Sequence, residues 1–166
     1  MKYLLLLSLV LSGLQASYMP VEEKKKQDFL SLIDSTFRKY STLNHLSISD
    51  LDHLKDPTIV DLRDQKLKEI SSLPNSISLT DFKKIPSDKL NQGQFIFYST
   101  TGIMSAQWLE DHFPSQKNFY NLSGGILYWV YQSKELTGTG PLMVEEKFKH
   151  LVPSNVAFKI IRLEEI

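Results

Sequence analysis

Two apolar rhythms alternate along the chain. From Val21 to Tyr40 a charged start, EEKKK, gives way to Phe29, Leu30, Ile33, Phe37 and Tyr40 at helical spacing, which predicts an amphipathic helix. Short runs of β-forming residues follow, at His45–Ile48, Thr58–Leu62, Phe95–Tyr98 and Asn118–Leu122. The run FIFY (Phe95–Tyr98) is apolar without interruption, the pattern of a strand covered on both faces. Between these runs Ser49 is a candidate N-cap for a helix over Asp50–Leu54, closed at Asp56-Pro57. Pro86–Leu90 reads as a short helix, and Ala106, Leu109 and Phe113 set a further helical face that Pro114 ends. Strands alternating with helices predict an α/β fold, a central mostly parallel sheet flanked by helices on both faces.

The ends read differently. MKYLLLLSLVLSGLQAS has a basic start, a leucine-rich stretch too short to span a bilayer, and Ala16-Ser17 as a small-residue cleavage point, which together predict a secretory signal peptide over 1–16. Residues 17–44 are then an N-terminal helix and linker, and 45–136 the main domain. Residues 137–166 form a C-terminal extension packed on it. That extension opens with the loop Thr137–Pro141, continues as a helix over Val144–Leu151 and ends in a β-rich segment over Val156–Leu163.

Composition narrows the chemistry. Lys plus Arg number 19 against 19 Asp plus Glu, so no long-range field favours nucleic acid or an anionic membrane surface. There is no cysteine, which removes disulfides, thiolate metal sites and thiol chemistry together, and suits an exported protein. The four histidines, His45, His53, His112 and His150, lack metal-ligand spacing, so no metal and no cofactor is expected.

Three motifs carry a family resemblance. Phe95–Tyr98 leads through Ser99-Thr100-Thr101-Gly102-Ile103-Met104 into a helix beginning near Ser105, a turn that aims backbone N–H groups at one point. Thr58–Leu62 ends in Asp61-Leu62-Arg63. Leu122, Gly124, Gly125 and Trp129 stand in the spacing Leu-x-Gly-Gly-x-x-x-Trp. Together these resemble the rhodanese family of sulfurtransferases. In that family the loop opens with a catalytic Cys, has Gly fourth and Arg sixth, and is followed by Ser or Thr. Here Gly102 and Ser105 match, while Ser99 stands for the Cys and Met104 for the Arg. Ser72-Leu73-Pro74-Asn75 stands where the family has His-Ile-Pro-Gly, and Asn75 is the substitute for Gly best suited to a left-handed turn. The resemblance places Ser99 at the floor of a pocket between the Asp61 strand end and the Gly124-Gly125 turn, with Asp61, Arg63, Gly124, Gly125 and Trp129 supporting it.

The two substitutions decide the functional expectation. A serine hydroxyl lacks the acidity that makes a loop thiolate accessible, and it holds no transferable sulfur. Met104 replaces a bidentate cationic donor with a flexible apolar chain. The sequence therefore reads as an exported rhodanese-like domain protein without sulfurtransferase activity, a binding or interaction module whose partner is an unidentified protein. The alternatives are a hydrolytic or sulfurtransferase-related enzyme of altered chemistry using Ser99, and a small-anion receptor using the amides of Ser99–Ser105. Neither nucleic acid nor a membrane span after signal removal is expected.

Overall fold

The computed structural model describes residues 19–161, so the expected signal peptide and the last residues of the β-rich C-terminal segment lie outside the described residues. Helix α1 (Val21–Lys39) leads to β1 (Asn44–Leu46), a 3-10 turn (Ile48–His53) and β2 (Thr58–Asp61). Then come α2 (Gln65–Ile70), β3 (Ile77–Ser78), α3 (Leu79–Phe82), α4 (Ser87–Gln92) and β4 (Phe95–Tyr98). Helix α5 (Ile103–His112), β5 (Phe119–Leu122) and α6 (Gly125–Tyr131) follow. Beyond it lie β6 (Leu142–Glu145), a second 3-10 turn (Glu146–Leu151) and β7 (Phe158–Ile161).

Strands β1 to β5 form one sheet in the order β1-β5-β4-β2-β3, every pair parallel. The central strand β4 is buried along its whole length, as its unbroken apolar run requires. Phe95 and Phe97 face one side with Val60, Phe119, Leu109 of α5 and Phe82 of α3. Ile96 and Tyr98 face the other with Leu122, Ile126 and Leu127 of α6 and Phe29 of α1. The α/β architecture with helices on both faces is thus the one expected. Connections leave β4 and β2 in opposite directions, and the crevice between the carboxyl ends of two such strands is where open α/β sheets bind ligands.

Three local expectations need correction. The buried stripe of α1 is Phe29, Thr36 and Tyr40, with Leu32 and Ile33 half-buried, whereas Leu30 and Phe37 face solvent, Phe37 at 53% exposure. The covered positions step by three and four along the 3.6-residue stripe, and two successive steps of four from Phe29 carry Phe37 off its edge. The first 3-10 turn is capped by Ser47 instead of Ser49: Ser47 and Asp50 form a capping box, the Ser47 N–H donating to Asp50 Oδ2 at 3.1 Å. Finally, Val144 and Glu145 are strand, not helix. Leu142, Met143 and Val144 are a β-forming run that pairs in parallel with Phe158–Ile161, and only from Glu146 does the chain coil, as a 3-10 turn. Leu142, Val144, Leu151 and Val152 enter the core cluster of Tyr98 and Leu127, so the extension lies against the sheet.

Candidate functional site

The register β2 to β4 pairs Asp61 with Tyr98, so Ser99 leaves the sheet one residue beyond the Asp61 strand end. Gly102 caps α5 in a left-handed conformation at φ 83°, and Gly124 caps α6 in the same way at φ 77°. The two turns touch. A Cβ on Gly125 would lie 2.0 Å from Ser99 O, and one on Gly102 would lie 2.8 Å from Leu122 O. Ile126 N–H donates to Ser99 O and Leu127 N–H to Thr100 O, both at 3.0 Å, which ties the start of α6 to the loop. Ser99, Thr100, Thr101, Gly102 and Ser105 are thereby brought together against Gly124 and Gly125.

Inside the loop the hydrogen-bonding capacity is used internally. Ser99 Oγ accepts from Gly102 N–H at 3.2 Å and from Ser105 N–H at 3.4 Å. Ser105 Oγ donates to Asn121 Oδ1 at 2.6 Å. Thr100 Oγ1 donates to Glu145 Oε2 at 2.5 Å, and Glu145 is itself buried. Strand β6 thus lays a carboxylate against the loop, a contact nothing in the spacing of the three motifs announces. Its approach is fixed upstream: Ser72 and Thr137 form an antiparallel bridge, Gly140 N–H donates to Ile70 O, and Met143 N–H donates to Ser71 Oγ at 3.0 Å. Ser99 consequently exposes 1% of its surface. It sits between the Asp61 strand end and the Gly124-Gly125 turn as the resemblance places it, but under cover instead of on an open pocket floor.

The other loop members diverge. Met104 is 43% exposed and turns away from the loop interior, and Ile103 is half-buried. His112 accompanies Trp108, its ring stacked on the indole at 4.6 Å, at the opposite end of α5. Nine steps at 1.5 Å put it about 13 Å along the helix from Ile103, too far to act as a base on Ser99. Trp129 is only half-buried; its indole N–H donates to Glu135 O at 2.8 Å and Lys134 lies over its ring. Asn75 takes the left-handed turn at φ 58°. Asn121, the acceptor of the sequon Asn121-Leu122-Ser123, is buried with both ends of its amide bonded, which denies it to a glycosyltransferase. Among the described residues no three His, Asp or Glu side chains are grouped as metal ligands.

Behind the loop lies a buried polar cluster. Arg63 Nε donates to Asp61 Oδ1 at 3.0 Å, and Nη2 donates to Asp61 Oδ2 at 2.7 Å and to Ser71 O at 2.5 Å. Tyr98 Oη donates to Asp61 Oδ2 at 2.5 Å and accepts from Leu73 N–H at 3.1 Å. Burial opposes the Arg63 charge, but Asp61 and Tyr98 together outweigh it and the guanidinium pKa is raised. Burial, reinforced by the Asp61 charge, also raises the Tyr98 phenol well above its ordinary value. The cluster braces the strand end beside Ser99, and its members are turned to one another except for the buried Arg63 Nη1, which has no hydrogen-bond partner among the described residues. Tyr98 is the participant that a reading of motifs passes over, because an apolar run hides its hydroxyl.

Tyr98→Phe leaves the buried Leu73 N–H without its acceptor and is expected to cost about 1–3 kcal/mol, read as a lower denaturation midpoint. The raised phenol adds an alkaline signature. Unfolded tyrosine ionises near pH ~10 while folded Tyr98 keeps its proton, so its contribution is complete below that pH and is lost as pH rises. Tyr98→Phe accordingly shows a smaller alkaline loss of stability than the wild type.

No protein-family model matches this chain, and no curated protein sequence does. Among solved structures it is similar to a rhodanese-related protein from Thermoplasma volcanium, at 20% identity and TM-score 0.47, covering 57% of this chain and 97% of that one. A protein from Bacillus halodurans is similar at 22% identity and TM-score 0.48, with 71% and 98% covered. The rhodanese-like domain of an Anabaena protein is similar at 13% identity and TM-score 0.47, with 57% and 78% covered. With its parallel sheet, its strand–loop–helix turn at Ser99 and its Asp61 and Gly124-Gly125 elements meeting at one sheet end, the chain has the α/β fold that the rhodanese resemblance implies.

Proposed function

We propose that the chain is an exported rhodanese-like domain protein that acts by binding a partner protein and does not transfer sulfur. The observation that carries this reading is the state of Ser99. Its oxygen already takes two loop N–H groups, it is buried, and the nearest hydroxyl, that of Ser105, is committed to Asn121. A serine nucleophile needs a base within hydrogen-bond reach, and among the described residues the partners of Ser99 Oγ are amides and a hydroxyl. Glu145 weighs against the receptor alternative. A carboxylate bonded to Thr100 puts negative charge where a free anion would have to sit. Export rests on the leader sequence, and the absence of activity on the residues at positions 99 and 104.

The loop would then serve as a rigid support, with Met104 on its outer surface as a contact residue. Purified protein assayed with thiosulfate and cyanide is expected to give no thiocyanate above the uncatalysed rate. Capture experiments on the exported fraction are expected to recover a partner that Met104→Asp weakens and Ser99→Ala leaves unchanged. Thiocyanate production that Ser99→Ala abolishes would overturn the proposal. So would capture that responds to Ser99→Ala and ignores Met104→Asp.

A further inference from the structure

His45 plays no part in the loop as described, yet it ends a continuous line of hydrogen bonds that begins at Ser99. The register puts His45 of β1, Asn121 of β5 and Phe97 of β4 in one row across the sheet. His45 Nε2 is 2.9 Å from Tyr40 O, and Nδ1 is 3.3 Å from Asn121 Nδ2. On the other side of the amide, Asn121 Oδ1 is 2.6 Å from Ser105 Oγ, which lies 3.4 Å from Ser99 Oγ.

Donor and acceptor roles follow from the ends of the line. A carbonyl only accepts, so the Nε2 facing Tyr40 O carries the ring proton. In the neutral ring Nδ1 is then bare and accepts from Asn121, which turns the amide oxygen toward the Ser105 hydroxyl. The direction of the whole line is therefore set by the protonation of one half-buried ring, while Asn121, Ser105 and Ser99 are buried.

We infer that His45 is a proton-controlled switch for the hydrogen bonds of the loop. Uptake of a proton at Nδ1 puts a donor opposite the Asn121 amide nitrogen, and the amide turns over to present Oδ1 instead. Nδ2–H then donates to Ser105 Oγ. The Ser105 proton leaves Asn121 for Gly102 O, which already lies 3.2 Å from Ser105 Oγ. One proton is gained, each displaced hydrogen bond finds a replacement, and the change reaches the residue whose N–H Ser99 holds.

Among the described residues the ring meets the Phe37 ring at 5.0 Å and the Tyr40 carbonyl from α1, and the Asn121 amide from β5, all neutral. Charged side chains on neighbouring elements are engaged elsewhere. Arg38 pairs with Asp34, Lys39 lies over Tyr40 and is drawn by Glu110 and Asp111 of α5, and Asp50 is held by Ser47.

Nitrogen-15 NMR of the labelled chain from pH 8 to pH 5 tests the switch. The expected result is the Nε2–H form of His45 at pH 8, and one shared midpoint for His45, the Asn121 side-chain amide and the backbone amides of Gly102 and Ser105. His45→Phe should abolish the response at Gly102 and Ser105, and His112→Gln should preserve it. An Nδ1–H ring at pH 8, a His45 that stays neutral down to pH 5, or flat Gly102 and Ser105 signals while His45 titrates would each overturn the inference. So would a response that survives His45→Phe. Should that variant not fold, the wild-type ring form and the shared midpoint still decide.

Discussion

Gly125→Ala is expected to destabilise the chain by about 3 kcal/mol or more, the sum of an unfavourable left-handed backbone and a clash that cannot relax cheaply. The residue sits at φ 54°, and its Cβ would fall 2.0 Å from Ser99 O, a backbone atom held in turn by Ile126 N–H. Relief requires moving the loop or the first turn of α6, and both carry the contacts that close the site. The neighbouring Gly124→Ala meets Tyr128 and Ile33 side chains instead. Ile33 Cδ1 is a side-chain end that can move, whereas Tyr128 Cβ, at 2.5 Å, moves only with α6; the approach is less close than at Gly125, so the cost is expected to be smaller. Denaturant titration of the two variants measures the difference, and equal midpoints would mean that the loop and the turn are less tightly joined than described here.

Arg63→Ala is the second large effect, with an expected loss of about 3–5 kcal/mol. Removing one member of a buried ion pair strands the other charge, and that penalty exceeds the net worth of the pair. Asp61 would keep only the Tyr98 hydroxyl and the Arg63-position backbone N–H, now without a cation, and Ser71 O would lose its donor. The paired change Asp61→Asn with Arg63→Met removes both charges and should recover much of the loss. A thermal or urea titration that found Arg63→Ala within about 1 kcal/mol of the wild type would put the pair in the class of exposed bridges.

These two effects come from residues that the sequence makes visible. Uninterrupted FIFY is legible as a central strand because burial on both faces leaves no room for polar alternation. Gly102 and Gly124-Gly125 are legible because left-handed caps and close backbone approach restrict the choice of residue. Asp61 and Arg63 stand out as charges at the end of an apolar run. What stayed hidden depends on contacts between residues far apart in the chain. Glu145 meets Thr100 across 45 positions, and Tyr98 bonds Asp61 across 37, with no local spacing to announce either. Val144 and Glu145 are misread for a related reason: acidic and lysine-rich residues downstream give a helical rhythm, while pairing with Phe158–Ile161 makes that stretch a strand. Leu30 and Phe37 show the converse error, where apolarity suggests burial that the stripe of α1 does not supply.

Glu145 also bears on attempts to restore sulfur chemistry. Ser99→Cys with Met104→Arg returns the two missing side chains, but it leaves a carboxylate bonded to Thr100 and a strand over the loop. The pair is expected to transfer little sulfur, since a site needs its supporting shell as well as its reacting groups.

The loop is retained closed, with position 99 sealed from solvent. Because the chain has no cysteine, a single substitution supplies its only thiol. Ser99→Cys and Met104→Cys, each treated under native conditions with a thiol-reactive disulfide reagent, compare a buried position with an exposed one in the same loop. Met104→Cys is expected to react at nearly the rate of the unfolded chain. Ser99→Cys should be slower by on the order of a hundredfold, set by local opening of the loop. Equal rates at the two positions would contradict the account.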